Sequence, residues 1–202
     1  RLTGSVRVEV DEGGPEARDT VSRGALKGHT ARRLELGRVS ASERIPALLF
    51  EPAEKLVGSV LVVHPEGKDA ALAYGQGSLV GSLLERRLAV LALDAFGTGE
   101  LADLERDRRV AHFTCFNRTD AALRVQDVLT GLAYLGARAF AWPGSSAAPY
   151  LIGLGQAGLW CLLARALAGP AAGRAVVDAA QFGCDDVAWL QSLDLPLLRR
   201  AG

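Results

Sequence analysis

Val60, Leu61, Val62 and Val63 follow one another without a polar break. An apolar run of that length predicts a strand covered on both faces. It stops abruptly at His64, Pro65, Glu66 and Gly67. Leu79, Val80, Leu83 and Leu84 then recur at helical spacing, and Arg86 and Arg87 follow, as suits a helix C-terminus. Residues 88–93 give a second buried strand, closing on Asp94. A long loop over 95–116 leads to a helix with Val125, Val128, Leu129 and Leu132 on one face. Asn117 is a candidate cap for it, and Asp120 suits its positive end. Residues 150–154 predict a third buried strand and 175–177 a fourth, ending at Asp178. Residues 159–167 predict a helix that is apolar almost all round and hence buried.

The leading part reads differently. Val6, Val8 and Val10 alternate with Arg7 and Glu9, the mark of a short half-buried strand. Residues 11–29 are rich in glycine and charge and predict a loop. Residues 33–39 and 45–50 form a hairpin around a polar turn at 40–44. The expected organisation is therefore an irregular lead over 1–30 and one domain over 31–202. Alternating strands and helices imply an α/β fold, a doubly wound and mostly parallel sheet with an N-terminal hairpin.

Residues 150–160, Tyr-Leu-Ile-Gly-Leu-Gly-Gln-Ala-Gly-Leu-Trp, join a strand, a glycine turn and a helix. Two chemistries fit. In the first, Gly153, Gly155 and Gly158 satisfy G-x-G-x-x-G, and Asp178 ends the next strand twenty residues later. Glycines in that pattern let a dinucleotide pyrophosphate approach a helix N-terminus, while the acid takes ribose hydroxyls. In the second, the turn is the nucleophile elbow G-x-S-x-G, with Gly153 and Ala157 as the small flanking residues. Gly155 then stands at the nucleophile position and carries no hydroxyl.

Read in the second way, the chain resembles the α/β-hydrolase superfamily, specifically bacterial acetyl-xylan-esterase-like proteins. The resemblance spans residues 43–198. It rests on the Arg-Ile-Pro-Ala-Leu-Leu-Phe-Glu-Pro strand at 44–52 and on His64-Pro65-Glu66-Gly67-Lys68. It rests also on Asp94-Ala95-Phe96-Gly97-Thr98-Gly99-Glu100 and on Asn117-Arg118-Thr119 before a helix. The resemblance implies an oxyanion hole made by backbone amides of Glu66 or Gly67 together with Gln156. His64 and Asp94 would line the site. It also implies a Ser where this chain has Gly155, and an acid and a His on later strands. His29 and His112 lie upstream of those strands, and His64 belongs to the oxyanion loop. No Ser-His-Asp triad can be assembled from these matches. The expected function is that of a degenerate esterase-like domain with a binding or scaffolding role. The alternative is a dinucleotide-binding module.

The chain ends at Gly202, soon after the fourth strand, so the sheet is expected to be incomplete at its C-terminal edge. An open apolar edge would pair with the remainder of a larger protein or with a second copy. The absence of methionine likewise leads to the expectation of a processed or excised chain.

Charge and composition narrow the partners. The 23 Lys+Arg balance 23 Asp+Glu, which gives no cationic excess for binding nucleic acid. Residues 147–164 carry one strongly polar side chain, Gln156, but their glycine cluster fits a strand–turn–helix better than a membrane span. Cys115, Cys161 and Cys184 are too far apart for a zinc site and read as buried thiols. No metal or cofactor is expected. Ser78 and Ser82 sit in a helix with no base close in sequence, and 100–109 reads as a solvated charged loop. Trp142, Trp160 and Trp189 read as packing residues.

Overall fold

The computed structural model describes residues 6–11, 29–38, 43–52, 54–73, 79–104, 106–107, 109, 117–139, 142 and 148–178. The expectations for Cys115, Cys184, His112, Ser78, Trp189 and the edge beyond Asp178 lie outside the described residues. The elements are β1 (Val6–Asp11), β2 (His29–Arg38), β3 (Ile45–Pro52), β4 (Gly58–Val63), α1 (Lys68–Ala73), α2 (Leu79–Glu85) and β5 (Leu88–Leu93). After a 3-10 turn (Gly99–Leu101) come α3 (Asp120–Ala139), β6 (Tyr150–Gly153), α4 (Ala157–Ala168) and β7 (Ala175–Val177).

All seven strands join one sheet in the order β1-β2-β3-β5-β4-β6-β7. β2 and β3 form the expected hairpin, and β3 meets β5 antiparallel. The half built from β5, β4, β6 and β7 is parallel. β1 pairs antiparallel with β2, so the strand in the lead belongs to the same sheet as the rest.

The continuous apolar runs follow from double coverage. On β4 and β5, Leu61, Val63, Leu91 and Leu93 face α3 and α4, within a core that includes Val128, Leu132, Leu135, Trp160 and Cys161. Val60, Val62, Val90 and Ala92 face the other way, onto Val80, Leu83 and Leu84 of α2 and Ala71 of α1. A strand between two helical layers has no solvent face and so no polar alternation. Cys161 is a buried free thiol, and burial pushes its titration up.

Three expectations need correction. Thr119, not Asn117, caps α3: its Oγ1 accepts the Ala122 N–H at 3.1 Å, while Asp120 supplies the acid of the first turn. Helix α4 is buried on one face only. Leu162 and Leu167 are exposed because among the described residues nothing covers the side turned away from the sheet. The strand at 175–177 is half-exposed, with Val176 68% accessible, and among the described residues no strand lies beyond β7.

α2 stops as Arg86 and Arg87 suggest, but through backbone shape. Arg87 takes φ +60°, and its N–H donates to the Leu84 carbonyl at 2.8 Å. The left-handed conformation strains a side chain that has a Cβ and is free for glycine. Arg87 is solvent-exposed. Arg87→Gly is therefore expected to stabilise the fold by up to about 1 kcal/mol, read as a higher urea midpoint at unchanged m-value.

Candidate functional site

Strand order reverses at β4. The chain runs from β4 outward to β5, then crosses back to β6 on the other side. Ligands of open α/β sheets collect in the crevice at the carboxyl ends of strands flanking such a reversal. Two loops meet there, residues 64–67 after β4 and residues 154–156 after β6. The loop after β5 lies beside the first of them.

The second loop is a tight elbow. The Leu154 N–H donates to the Val63 carbonyl at 3.0 Å, Gly155 turns with φ +52°, and Gln156 is already helical. The Ala157 N–H returns to the Leu154 carbonyl at 3.0 Å, so strand becomes helix within two residues. The three glycines serve different ends. A Cβ on Gly153 would lie 2.7 Å from the Gly158 Cα and 2.8 Å from the Cys161 Cβ. One on Gly158 would lie 1.9 Å from the Asp178 carbonyl oxygen. Those two glycines are dictated by close strand–helix packing. At Gly155 a Cβ would meet only Pro65, at 3.5 Å, an ordinary contact. There the constraint is the positive φ alone, and the tip looks across the crevice at the loop after β4.

In that facing loop the two amides expected for an oxyanion hole donate within the turn. The Glu66 N–H donates to Nδ1 of His64 at 3.1 Å, and the Gly67 N–H donates to the His64 carbonyl at 3.1 Å. Both amides are thus spent inside the turn, because the His64 ring and carbonyl fold back over it. Gly67, at φ +99°, lies against Asp94 and Gly99, where a Cβ would come within 2.6 Å of each. Of the expected donors, only the Gln156 N–H donates to no group among the described residues. His64 does lie at the crevice, half-exposed and holding the loop's shape.

Asp94 is not an open wall of the site. It is fully buried and accepts the Lys68 N–H at 2.6 Å, the Lys68 ammonium at 2.6 Å and the Glu100 N–H at 3.0 Å. It therefore caps both α1 and the 3-10 turn. Nζ of Lys68 also donates to Glu100 at 2.5 Å, and Arg33 of β2 reaches the other Glu100 oxygen at 2.8 Å. Burial works to lower the Lys68 titration, but its bonds to Asp94 and Glu100 win and raise it. Burial works to raise Glu100, but the Lys68 and Arg33 cations win and hold it below the usual carboxylate range. The charged run is thus part of the framework at its start. Further along, Arg106 pairs with Asp120 at 2.9 Å and lies over the Phe96 ring.

α3 grips the loop after β5. Asp127 accepts the Phe96 N–H at 2.8 Å, and Nε of Arg124 donates to the Phe96 carbonyl at 2.9 Å. The same guanidinium lies 4.6 Å from the ring centroid of Trp160 in the first turn of α4, a cation–π contact that ties the grip to the elbow helix. Trp160 is otherwise a packing residue, as expected. Trp142 adds a polar contact, its Nε1 donating to Glu51 at 3.0 Å. The Asp178 N–H donates to the Gly153 carbonyl at 2.8 Å, extending the β6–β7 ladder to the carboxyl edge. Ser82 lies exposed on α2. Among the described residues no cluster of His, Cys, Asp and Glu is arranged to hold a metal, and no helix is long and apolar enough to cross a membrane.

No protein-family model matches the sequence, and no curated protein matches it significantly. Solved structures match the fold. Acetyl xylan esterase 1 from Thermoanaerobacterium sp. superposes with a TM-score of 0.54 at 14% identity, over 98% of this chain and 60% of that one. A thermostable carboxyl esterase from Bacillus coagulans gives 0.58 at 14% identity, over 85% of this chain and 51% of that one. A dienelactone hydrolase from Anabaena variabilis gives 0.51 at 16% identity, over 73% of this chain and 62% of that one. The architecture is therefore of α/β-hydrolase type, and the chain spans about half to just over three fifths of the length of each of these proteins.

Proposed function

We propose that this chain is a degenerate esterase-like domain, one that keeps the elbow of a hydrolase without its nucleophile and serves in binding or scaffolding. The observation that carries the reading is the turn at Gly155. Its φ of +52°, the two-residue passage from β6 to α4 and the open path for a side chain toward Pro65 together make a nucleophile elbow. Glycine supplies the turn and nothing that can attack a carbonyl. The closed hydrogen bonding of residues 64–67 supports the same reading. With the Glu66 and Gly67 amides bonded to His64, the Gln156 amide alone would face an oxyanion, where a working hole uses a pair of donors. The purified chain is expected to hydrolyse p-nitrophenyl acetate no faster than buffer with an equal amount of denatured protein. Saturable turnover above that blank would overturn the proposal.

A second reading has an observation of its own. Asp178 stands at the carboxyl end of the strand beside β6, and Gly158 lets its backbone approach the start of α4. Strand pairing and acid placement of this kind suit a dinucleotide site. Titration calorimetry with NAD and NADP separates the two. Saturable heat that disappears in Asp178→Ala favours the dinucleotide module, and a flat trace favours the degenerate hydrolase.

A further inference from the structure

A cavity lies at the other end of the parallel strands, away from the crevice. Residues 54–57 lead into the amino end of β4 there, and Trp142 follows the end of α3. Glu54, Lys55, Leu56 and Trp142 line a space of about 300 Å³. That is the small end of the range for small-molecule sites, roughly 300–1,000 Å³, so it suits one small ligand. The lining is chiefly apolar: the indole, Leu56 and the carbon stems of Glu54 and Lys55.

The walls are fixed from behind. Nε1 of Trp142 donates to Glu51 at 3.0 Å, and Nη2 of Arg138 donates to the same carboxylate at 3.1 Å. The Arg138 guanidinium lies 5.4 Å from the Trp142 ring centroid, so the ring is held both at its edge and at its face. The Val57 N–H donates to the Arg87 carbonyl at 3.0 Å, which pins the segment carrying the other three lining residues. A wall held in this way needs little ordering when a ligand arrives.

The rim is different. Glu54 and Lys55 are exposed, and neither makes an ion pair or a hydrogen bond among the described residues. Two neighbouring charges of opposite sign thus stand free over an apolar, aromatic-walled space. The wall favours a flat ring. A ring bearing only an anion satisfies Lys55 and meets repulsion from Glu54, and one bearing only a cation does the reverse. A ring bearing both charges complements both residues.

We propose that this cavity binds an aromatic α-amino acid, with its ring against Trp142 and Leu56, its carboxylate at Lys55 and its ammonium at Glu54. The site uses no residue of the crevice and stands independently of the elbow and its missing nucleophile.

Nitrogen-15 NMR of the full chain, titrated with L-phenylalanine at millimolar concentration, tests the proposal. Saturable shifts are expected at the backbone amides of residues 54–57 and at the Trp142 indole N–H. Phenylacetate lacks the ammonium and phenethylamine lacks the carboxylate. Each is expected to bind about fivefold more weakly, the scale of one exposed ion pair. L-alanine keeps both charges and lacks the ring, and is expected to bind about tenfold more weakly. Lys55 is exposed, so Lys55→Glu leaves the fold intact. It should weaken L-phenylalanine about fivefold or more and leave phenethylamine bound at least as well. Absence of saturable shifts with L-phenylalanine would overturn the proposal. So would equal affinity for the three ring compounds, or L-phenylalanine binding unchanged in Lys55→Glu.

Discussion

Lys68→Ala is expected to destabilise the fold by on the order of 3–5 kcal/mol, the loss that follows when one partner of a buried ion pair is removed. The side chains of Lys68 and Asp94 are 4% and 0% exposed, and their charges meet at 2.6 Å. Without the ammonium, Asp94 keeps two backbone amides and loses its counter-charge in a place water cannot reach. Glu100 loses its nearest cation too, but it is 40% exposed and retains Arg33, so water and Arg33 limit that part of the loss. Urea unfolding at neutral pH should show a large fall in midpoint. Asp94→Asn in the same chain should recover part of the loss, because the remaining partner is then neutral and still offers an oxygen. A Lys68→Ala midpoint within about 1 kcal/mol of the original would show the pair to be solvated.

Gly158→Ala should be nearly as damaging, by about 3 kcal/mol, because overpacking here meets main chain rather than a yielding side chain. The added carbon would sit 1.9 Å from the Asp178 carbonyl oxygen and 2.7 Å from its carbon. Relief requires β7 and α4 to move apart, against the Asp178–Gly153 hydrogen bond. Gly155→Ala makes the informative contrast. Its added methyl finds room beside Pro65, so only the left-handed backbone is penalised, by roughly 1–2 kcal/mol. Thermal denaturation should therefore rank Gly158→Ala well below Gly155→Ala, with both below the original chain. Were residues 153–158 ordinary helix, both substitutions would instead stabilise, since alanine is the better helix former by about 1 kcal/mol.

The parts of this fold that were legible in sequence are those fixed by local pattern. The runs at 60–63 and 88–93 are continuous because helices cover both faces of β4 and β5, and the tight turn between β6 and α4 announces itself by its glycines. Helix α3 shows its buried face through Val125, Val128 and Leu132. What was hidden depends on long-range partners. Lys68 reads as the polar end of a turn until Asp94, 26 residues on, closes over it. Asp127 gives no local sign of burial, which comes from the loop after β5 and the Phe96 N–H it receives. The amides of Glu66 and Gly67 look available until the His64 ring and carbonyl are placed in space. Asn117 and Thr119 are both good capping residues, and only the start of the helical path chooses between them. The apolar outer face of α4 gives no local sign of being uncovered, because hydrophobic pattern reports what could be buried rather than what is.

The proposed function requires an elbow that is intact in shape and empty of a nucleophile. Incubation of the folded chain with a fluorophosphonate ester, followed by intact-mass and peptide mass spectrometry, tests it most directly. The mass is expected to remain that of the unmodified chain. A stoichiometric adduct on any serine, formed by the folded chain and not by the denatured one, would contradict it.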